Sequence, residues 1–133
     1  MPRKILIVDD DPSIIMLLKI NLEMEGYEVI SAQGGAEGVE KAKRSLPDLI
    51  IMDVMMPNMD GWTAKQELHK SPEVSGIPVI FLSARAQQAD LHKGYEAGAA
   101  EYMTKPFEPM ELIATVEQIL AGTHEAKHQG AGQ

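Results

Sequence analysis

The chain has 133 residues, enough for one domain with little room for a second. Hydrophobic residues make up 44 %, sufficient for a full core, and the lack of cysteine excludes disulfides, thiolate metal sites and cysteine nucleophiles. Twelve basic against twenty acidic residues leave a net charge of -8, a surface that repels nucleic-acid phosphates and argues against direct DNA binding.

No apolar run approaches the roughly 20 residues that a membrane-spanning helix needs, so no membrane partner is expected. A cysteine-free chain suits a reducing cytoplasm, and a cytoplasmic location is expected. The basic start Met1-Pro2-Arg3-Lys4 leads into an apolar stretch that stops at Asp9. That stretch is too short for a signal peptide and reads as a buried strand over residues 5–8. Asp11 followed by Pro12 predicts a helix cap and first helical residue. Ile14, Ile15, Leu18 and Leu22 form one stripe behind it, and Gly26 ends the helix. A second strand is predicted over 27–30. A second helix follows over 35–45, weakened by Gly38 and closed before Pro47. Residues 49–52 read as a third strand, and Asp60 caps a third helix running to about His69. A fourth strand over 79–82 and a fourth helix over 86–97, ending at Gly98, come next. A weaker strand at 102–103 precedes a fifth helix over 108–120, with Leu112, Ile113, Val116, Ile119 and Leu120 on one face. Beyond Leu120 the pattern stops. Residues 1–120 are expected to form the domain, and 121–133 a flexible tail or the start of a linker.

Strand then helix, five times over, implies an α/β fold with helices on both faces of a mainly parallel sheet. Such a doubly wound, five-stranded sheet commonly takes the order 2-1-3-4-5 and binds ligands at the carboxyl ends of its strands. Strand 1 ends in Asp9, Asp10 and Asp11, strand 3 in Asp53, strand 4 in Ser83 and strand 5 in Lys105. In that order strands 1 and 3 are neighbours, so Asp9, Asp10 and Asp53 converge. Carboxylates held close repel one another unless a cation sits among them. Oxygen ligands without His or Cys favour Mg²⁺ over Zn²⁺. A lysine and a hydroxyl beside that cation suit a phosphoryl group.

Four pieces carry a family resemblance. They are Ile5-Leu6-Ile7-Val8-Asp9-Asp10-Asp11, Asp53-Val54-Met55-Met56-Pro57-Asn58-Met59-Asp60-Gly61, Ser83-Ala84-Arg85 and Tyr102-Met103-Thr104-Lys105-Pro106-Phe107. In this order and at these strand ends they resemble the response-regulator receiver domains of two-component signalling, over about residues 3–120. The resemblance implies a flavodoxin-like sheet and a signalling phospho-acceptor rather than an enzyme acting on other substrates. It implies that Asp53 takes a phosphoryl group from a phosphohistidine on a sensor histidine kinase or phosphotransfer protein. It makes Asp10 a direct Mg²⁺ ligand, Asp9 a helper acting through water, and the Met55 main-chain carbonyl a further ligand, with Mn²⁺ an alternative ion. Ser83 and Lys105 then bind the phosphoryl oxygens. Motion of Ser83 is coupled to a rotamer change of Tyr102, which reshapes the face formed by the fourth helix, fifth strand and fifth helix. Met55 and Arg85 flank the path of the hydrolytic water and tune dephosphorylation. The Lys105-Pro106 bond is expected to be cis.

Plainer readings stand beside these. Asp11 is read as a cap. Tyr102 also fits a strand residue packing on the sheet. The tail motif His124-Glu125-Ala126-Lys127-His128 matches H-E-x-x-H, but that zinc chemistry needs a stable helix, a third ligand and a cleft. Gly34, Gly35 and Gly38 lack the G-x-G-x-x-G spacing and follow the wrong strand. A phosphatase resembling the haloacid dehalogenases needs an Asp two residues after its nucleophile, where this chain has Met55. A flavin carrier would find its phosphate repelled by Asp9–Asp11. A degenerate receiver would lack one of the acidic residues or Lys105. On the output face, Leu91, Ala100 and Thr115 stand where winged-helix regulators usually carry charged members of a dimer latch, and Glu111 has no basic partner at Leu91. The expected output is therefore a downstream protein or an appended effector domain docking on this face. Leu91 and Tyr95 either serve that contact or pack at the helix edge.

Overall fold

In a computed structural model, residues 2–84 and 98–122 are described. The fourth helix expected over 86–97, with Leu91 and Tyr95, lies outside the described residues, as do Arg85 and the motif from His124 to His128. Five strands build one parallel sheet: β1 (Lys4–Val8), β2 (Glu28–Ala32), β3 (Leu49–Asp53), β4 (Val79–Ser83) and β5 (Glu101–Thr104). Their order is β2-β1-β3-β4-β5, as the repeated strand–helix pattern predicts. The helices are α1 (Pro12–Met24), α2 (Gly35–Ser45), α3 (Gly61–His69), the single turn α4 (Pro72–Ser75) and α5 (Pro109–Leu120).

Two apolar clusters sandwich the sheet. Leu6, Val8, Ile50, Met52, Val79, Phe81 and Tyr102 face α2, α3 and α4. Ile5, Ile7, Leu49, Ile51, Ile80 and Leu82 face α1 and α5. Every residue of β3 and β4 is buried, which explains why both read as unbroken apolar runs. Each fully buried side chain of this size stabilises the fold by roughly 1.5–3 kcal/mol relative to exposure.

The helix ends follow local chemistry. Asp11 caps α1: its carboxylate accepts from the Ser13 N–H at 2.9 Å and from the Ser13 hydroxyl at 2.7 Å. At the other end the Gly26 and Tyr27 N–H groups donate to the Glu23 and Leu22 carbonyls, and Gly26 takes the left-handed φ of +94° that this motif requires. Asp60 caps α3 through the Thr63 N–H at 2.8 Å. Gly38 in α2, a weakness by propensity, is a packing requirement: a Cβ there would lie 2.8 Å from a Val8 methyl.

The expected elements among the described residues keep their places with bounds shifted by about one or two residues, and β2 and the unforeseen turn α4 differ most. β2 lies at Glu28–Ala32 rather than 27–30, because Ser31 and Ala32 complete the parallel ladder without looking apolar. α4 is too short to show a periodicity. Helix α2 stops through Leu46, held at φ +50°, where a glycine would be usual. Away from the acidic strand ends, the Arg3 guanidinium donates to the Leu120 carbonyl at 3.2 Å. There too the Lys4 N–H donates to the Asp48 carboxylate at 2.7 Å. Among the described residues no helix is long and apolar enough to cross a membrane.

Candidate functional site

Asp9 follows β1 directly, and its N–H still donates to the Ala32 carbonyl of β2 at 3.1 Å. The side chain is 1 % exposed. One carboxylate oxygen accepts from the Asp11 N–H at 2.9 Å, and the other accepts from Lys105 Nζ at 3.1 Å. Asp53 is the last residue of β3 and is also buried. Its Oδ1 accepts from the Met55 N–H at 3.3 Å, and its Oδ2 lies 3.6 Å from Lys105 Nζ. Asp10 is exposed beside them. Asp9, Asp10 and Asp53 each offer an oxygen within 4.8 Å of the other two.

Lys105 follows β5. Its N–H donates to the Ser83 carbonyl at 2.7 Å, and its bond to Pro106 is cis. Ser83 is fully buried at the end of β4, one residue past the register partner of Asp53. Met55 sits on the rim: its N–H reaches Asp53 while its side chain is 53 % exposed. Tyr102 is buried in β5, one strand away.

The electrostatics fit a site built for a cation. Burial, and then the charge of Asp9, push the Asp53 carboxyl up to about 6, despite the opposing pull of Lys105. Burial also raises Asp9, although the Asp11 N–H and Lys105 act to lower it. Burial works to lower Lys105, but the hydrogen bond it donates to Asp9 and the charges of Asp9 and Asp53 outweigh it, so its pKa is raised. One ammonium thus leaves carboxylates under mutual repulsion, with oxygen donors alone. That donor set suits a hard divalent ion.

Gly61, quoted above only as part of a motif, has a structural demand of its own. A Cβ there would lie 2.5 Å from the Asp53 carbonyl oxygen, and its N–H donates to Val54 O at 2.9 Å. Helix α3 therefore starts in contact with the backbone of the candidate acceptor. The glycine directly after a capping Asp was the available signal.

The model of the response regulator receiver domain matches residues 5–117. The chain belongs to that family. This receiver is 45 % identical to the DNA-binding dual master transcriptional regulator RpaA of Synechocystis sp., over 96 % of the chain but 54 % of RpaA. It is 45 % identical to the alkaline phosphatase synthesis regulator PhoP of Bacillus subtilis, again over 49 % of that protein. The chain thus spans about half the length of these two relatives. It is 40 % identical to protein PilH of Pseudomonas aeruginosa, covering 90 % of this receiver and 98 % of PilH. A putative response regulator from Chloroflexus aurantiacus superposes with a TM-score of 0.86 at 39 % identity, covering 91 % of this receiver and 99 % of that chain. As a receiver domain the chain is part of two-component signalling, and the fold is that of chemotaxis-type receivers such as CheY4 of Vibrio cholerae.

Proposed function

We propose that Asp53 is the phosphoryl acceptor of a histidine-to-aspartate relay. A carboxylate oxygen of Asp53 attacks phosphorus, the bond from phosphorus to the donor's imidazole nitrogen breaks, and that nitrogen keeps the electron pair and takes a proton. The observation that carries this reading is the convergence of Asp9, Asp10 and Asp53 within 4.8 Å, with Lys105 3.6 Å from Asp53. Asp9, Asp10, Asp53 and the Met55 main-chain carbonyl would hold Mg²⁺, with Mn²⁺ able to replace it. Bound there, the ion neutralises charge on the phosphoryl oxygens. The Lys105 ammonium, held in place by Asp9, is positioned to take over an oxygen of the new phosphoryl group. Ser83 supplies a hydroxyl to another. Tyr102 then reads the change on the output face. The chain catalyses its own phosphoryl transfer and slow loss of phosphate, and acts on no other substrate. The partners are a sensor histidine kinase or phosphotransfer protein upstream and a protein or appended effector downstream. The net charge of -8 speaks against direct DNA contact by this chain.

Incubation with acetyl phosphate and Mg²⁺, followed by mass measurement, tests the assignment. One phosphoryl mass is expected on the wild type and none on Asp53→Asn. Equal labelling of Asp53→Asn would overturn it. Two finer readings go with it. Met55 is apolar and exposed beside Asp53 and cannot orient a water, so hydrolysis is slow. Met55→Asn is expected to speed it, as read by loss of the phosphoryl mass with time. On the output face, Thr115 donates its hydroxyl to the Glu111 carbonyl of its own helix and Ala100 is neutral, so no charge-latched dimer is expected. Light scattering with and without beryllofluoride checks this, and a tight, salt-sensitive dimer appearing only with beryllofluoride would contradict it.

A further inference from the structure

Strand register places Tyr102 directly beside Phe81 on neighbouring β5 and β4. Both rings point to the same face of the sheet, into the same apolar cluster. Trp62, the second residue of α3, lies over them. Its ring meets Phe81 edge-on at a centroid distance of 4.6 Å, and it stacks on Tyr102 at 6.1 Å with an interplanar angle of 20°. All three are nearly or fully buried. Such offset-stacked and edge-to-face pairs are favoured beyond the area they bury. Trp62 is also covalently next to Gly61, whose backbone touches Asp53 so closely that no side chain fits between them. The Gly61 N–H to Val54 O bond fixes that junction. A continuous path of contacts thus runs from the Asp53 backbone through Gly61 and Trp62 to the Tyr102 ring.

We propose that Trp62 is a positioning residue that holds Tyr102 buried and ties that ring to the Asp53 end of the sheet. The coupling is additional to the one through Ser83, and it rests on the reading of Asp53 as acceptor and Tyr102 as switch. Trp62 touches no reacting atom. Its effect is to set the balance between the buried and exposed positions of Tyr102. A group that moves the Asp53 strand end shifts the start of α3, and the indole carries that shift to the tyrosine. A packed interface of this kind changes between discrete arrangements rather than deforming smoothly.

The test labels the full chain with 3-fluorotyrosine. The sequence has three tyrosines, and Tyr102→Phe identifies the resonance that belongs to position 102. Trp62→Leu is expected to move Tyr102 toward exposure by about two- to ten-fold in population. Trp62→Phe, which keeps a ring, is expected to recover at least half of the effect. By linkage, the beryllofluoride saturation midpoint shifts by up to that factor, and its sign tells which tyrosine position the loaded site favours. In a Tyr102→Leu background, Trp62→Leu should no longer move the midpoint. If Trp62→Leu fails to fold, Trp62→Phe against the wild type makes the same comparison with a smaller shift of about two-fold. A folded variant with an unchanged Tyr102 resonance and midpoint overturns the inference. Phosphoryl mass from acetyl phosphate is followed on each sample. Normal labelling with an unmoved Tyr102 refutes the role of Trp62 alone, whereas a wild type that gains no mass refutes the acceptor reading and with it the tie to Asp53.

Discussion

Two lysines of this receiver are largely withdrawn from water, and they respond in opposite ways. Lys105 lies between Asp9 and Asp53, and its pKa is raised because its bond and charge contacts outweigh its burial. Lys65 projects from α3, is 5 % exposed, and meets no carboxylate among the described residues. Burial alone lowers its pKa. Its ammonium sits near Gly98, where an added Cβ would be 4.0 Å away. The same side chain is thus held between two carboxylates at one end of β5 and, among the described residues, buried without one at the other. The difference comes from the partners and not from depth. A buried charge is stabilising only where opposite charge or hydrogen-bond acceptors surround it.

The largest expected effect comes from deleting the well-partnered cation. Lys105→Met should destabilise the fold by about 2–4 kcal/mol, because Asp9 and Asp53 are left facing each other. Urea unfolding at neutral pH reads this, and a neutral result would mean that the pair is looser than 3.1 Å and 3.6 Å suggest. The next effect has the opposite sign. Asp53→Asn should stabilise the metal-free fold by about 2 kcal/mol at pH 7. The sign follows from linkage. Asp53 titrates near 6 in the folded chain against 3.8 for an ordinary Asp, so the folded state holds the extra proton between those values. Its destabilisation is absent below about pH 4, grows as pH rises and is complete above about pH 6. Urea midpoints of wild type and variant should therefore converge near pH 4.

Lys65→Met should raise stability by about 1 kcal/mol, since methionine fills the slot without a charge to desolvate. Here the linkage runs the other way. A lowered lysine pKa means that the folded state gives up its proton first. The wild type should gain on the variant only as pH climbs from that lowered value toward about 10.4. A destabilised Lys65→Met would show that the amine has a partner after all. The smallest change belongs to Asp10→Asn. Asp10 is exposed, so metal-free stability should move by less than about 0.5 kcal/mol. Yet the stabilisation by Mg²⁺, about 2.7 kcal/mol at a hundred times Kd in the wild type, should largely vanish. Melts with and without Mg²⁺ separate the two quantities.

Much of this could be read in the sequence, for identifiable reasons. The apolar runs of β1, β3 and β4 are continuous because both faces are covered, and the strand order followed from the strand–helix alternation. The carboxylates and Lys105 fell at strand ends, so topology alone brought them together. The left-handed Leu46 could not be read, because a bulky residue there goes against local preference. Nor could Lys65, since lysine reads as surface until its neighbours are known. Trp62 was visible as a residue but not as a contact. Its partners Phe81 and Tyr102 lie 19 and 40 positions further on, and only the register of β4 against β5 sets them side by side. The three acids that repel one another do not share the strain of the metal-free fold equally. Asp9 is compensated by Lys105 and the Asp11 N–H, and Asp10 faces water, so the strain is concentrated at Asp53.

The bond from Arg3 to the Leu120 carbonyl has an architectural consequence. It makes the first strand and the last helix neighbours at the pole of the sheet remote from the acidic strand ends. A short peptide bridging residues 3 and 120 could close the domain into a ring, which could then be reopened in an exposed loop such as that around Gly76. A module fused at that pole would hang from the back of the domain. To sense a change at the Asp53 end of the sheet it would have to fold round to the front, or be told of it through the body of the protein.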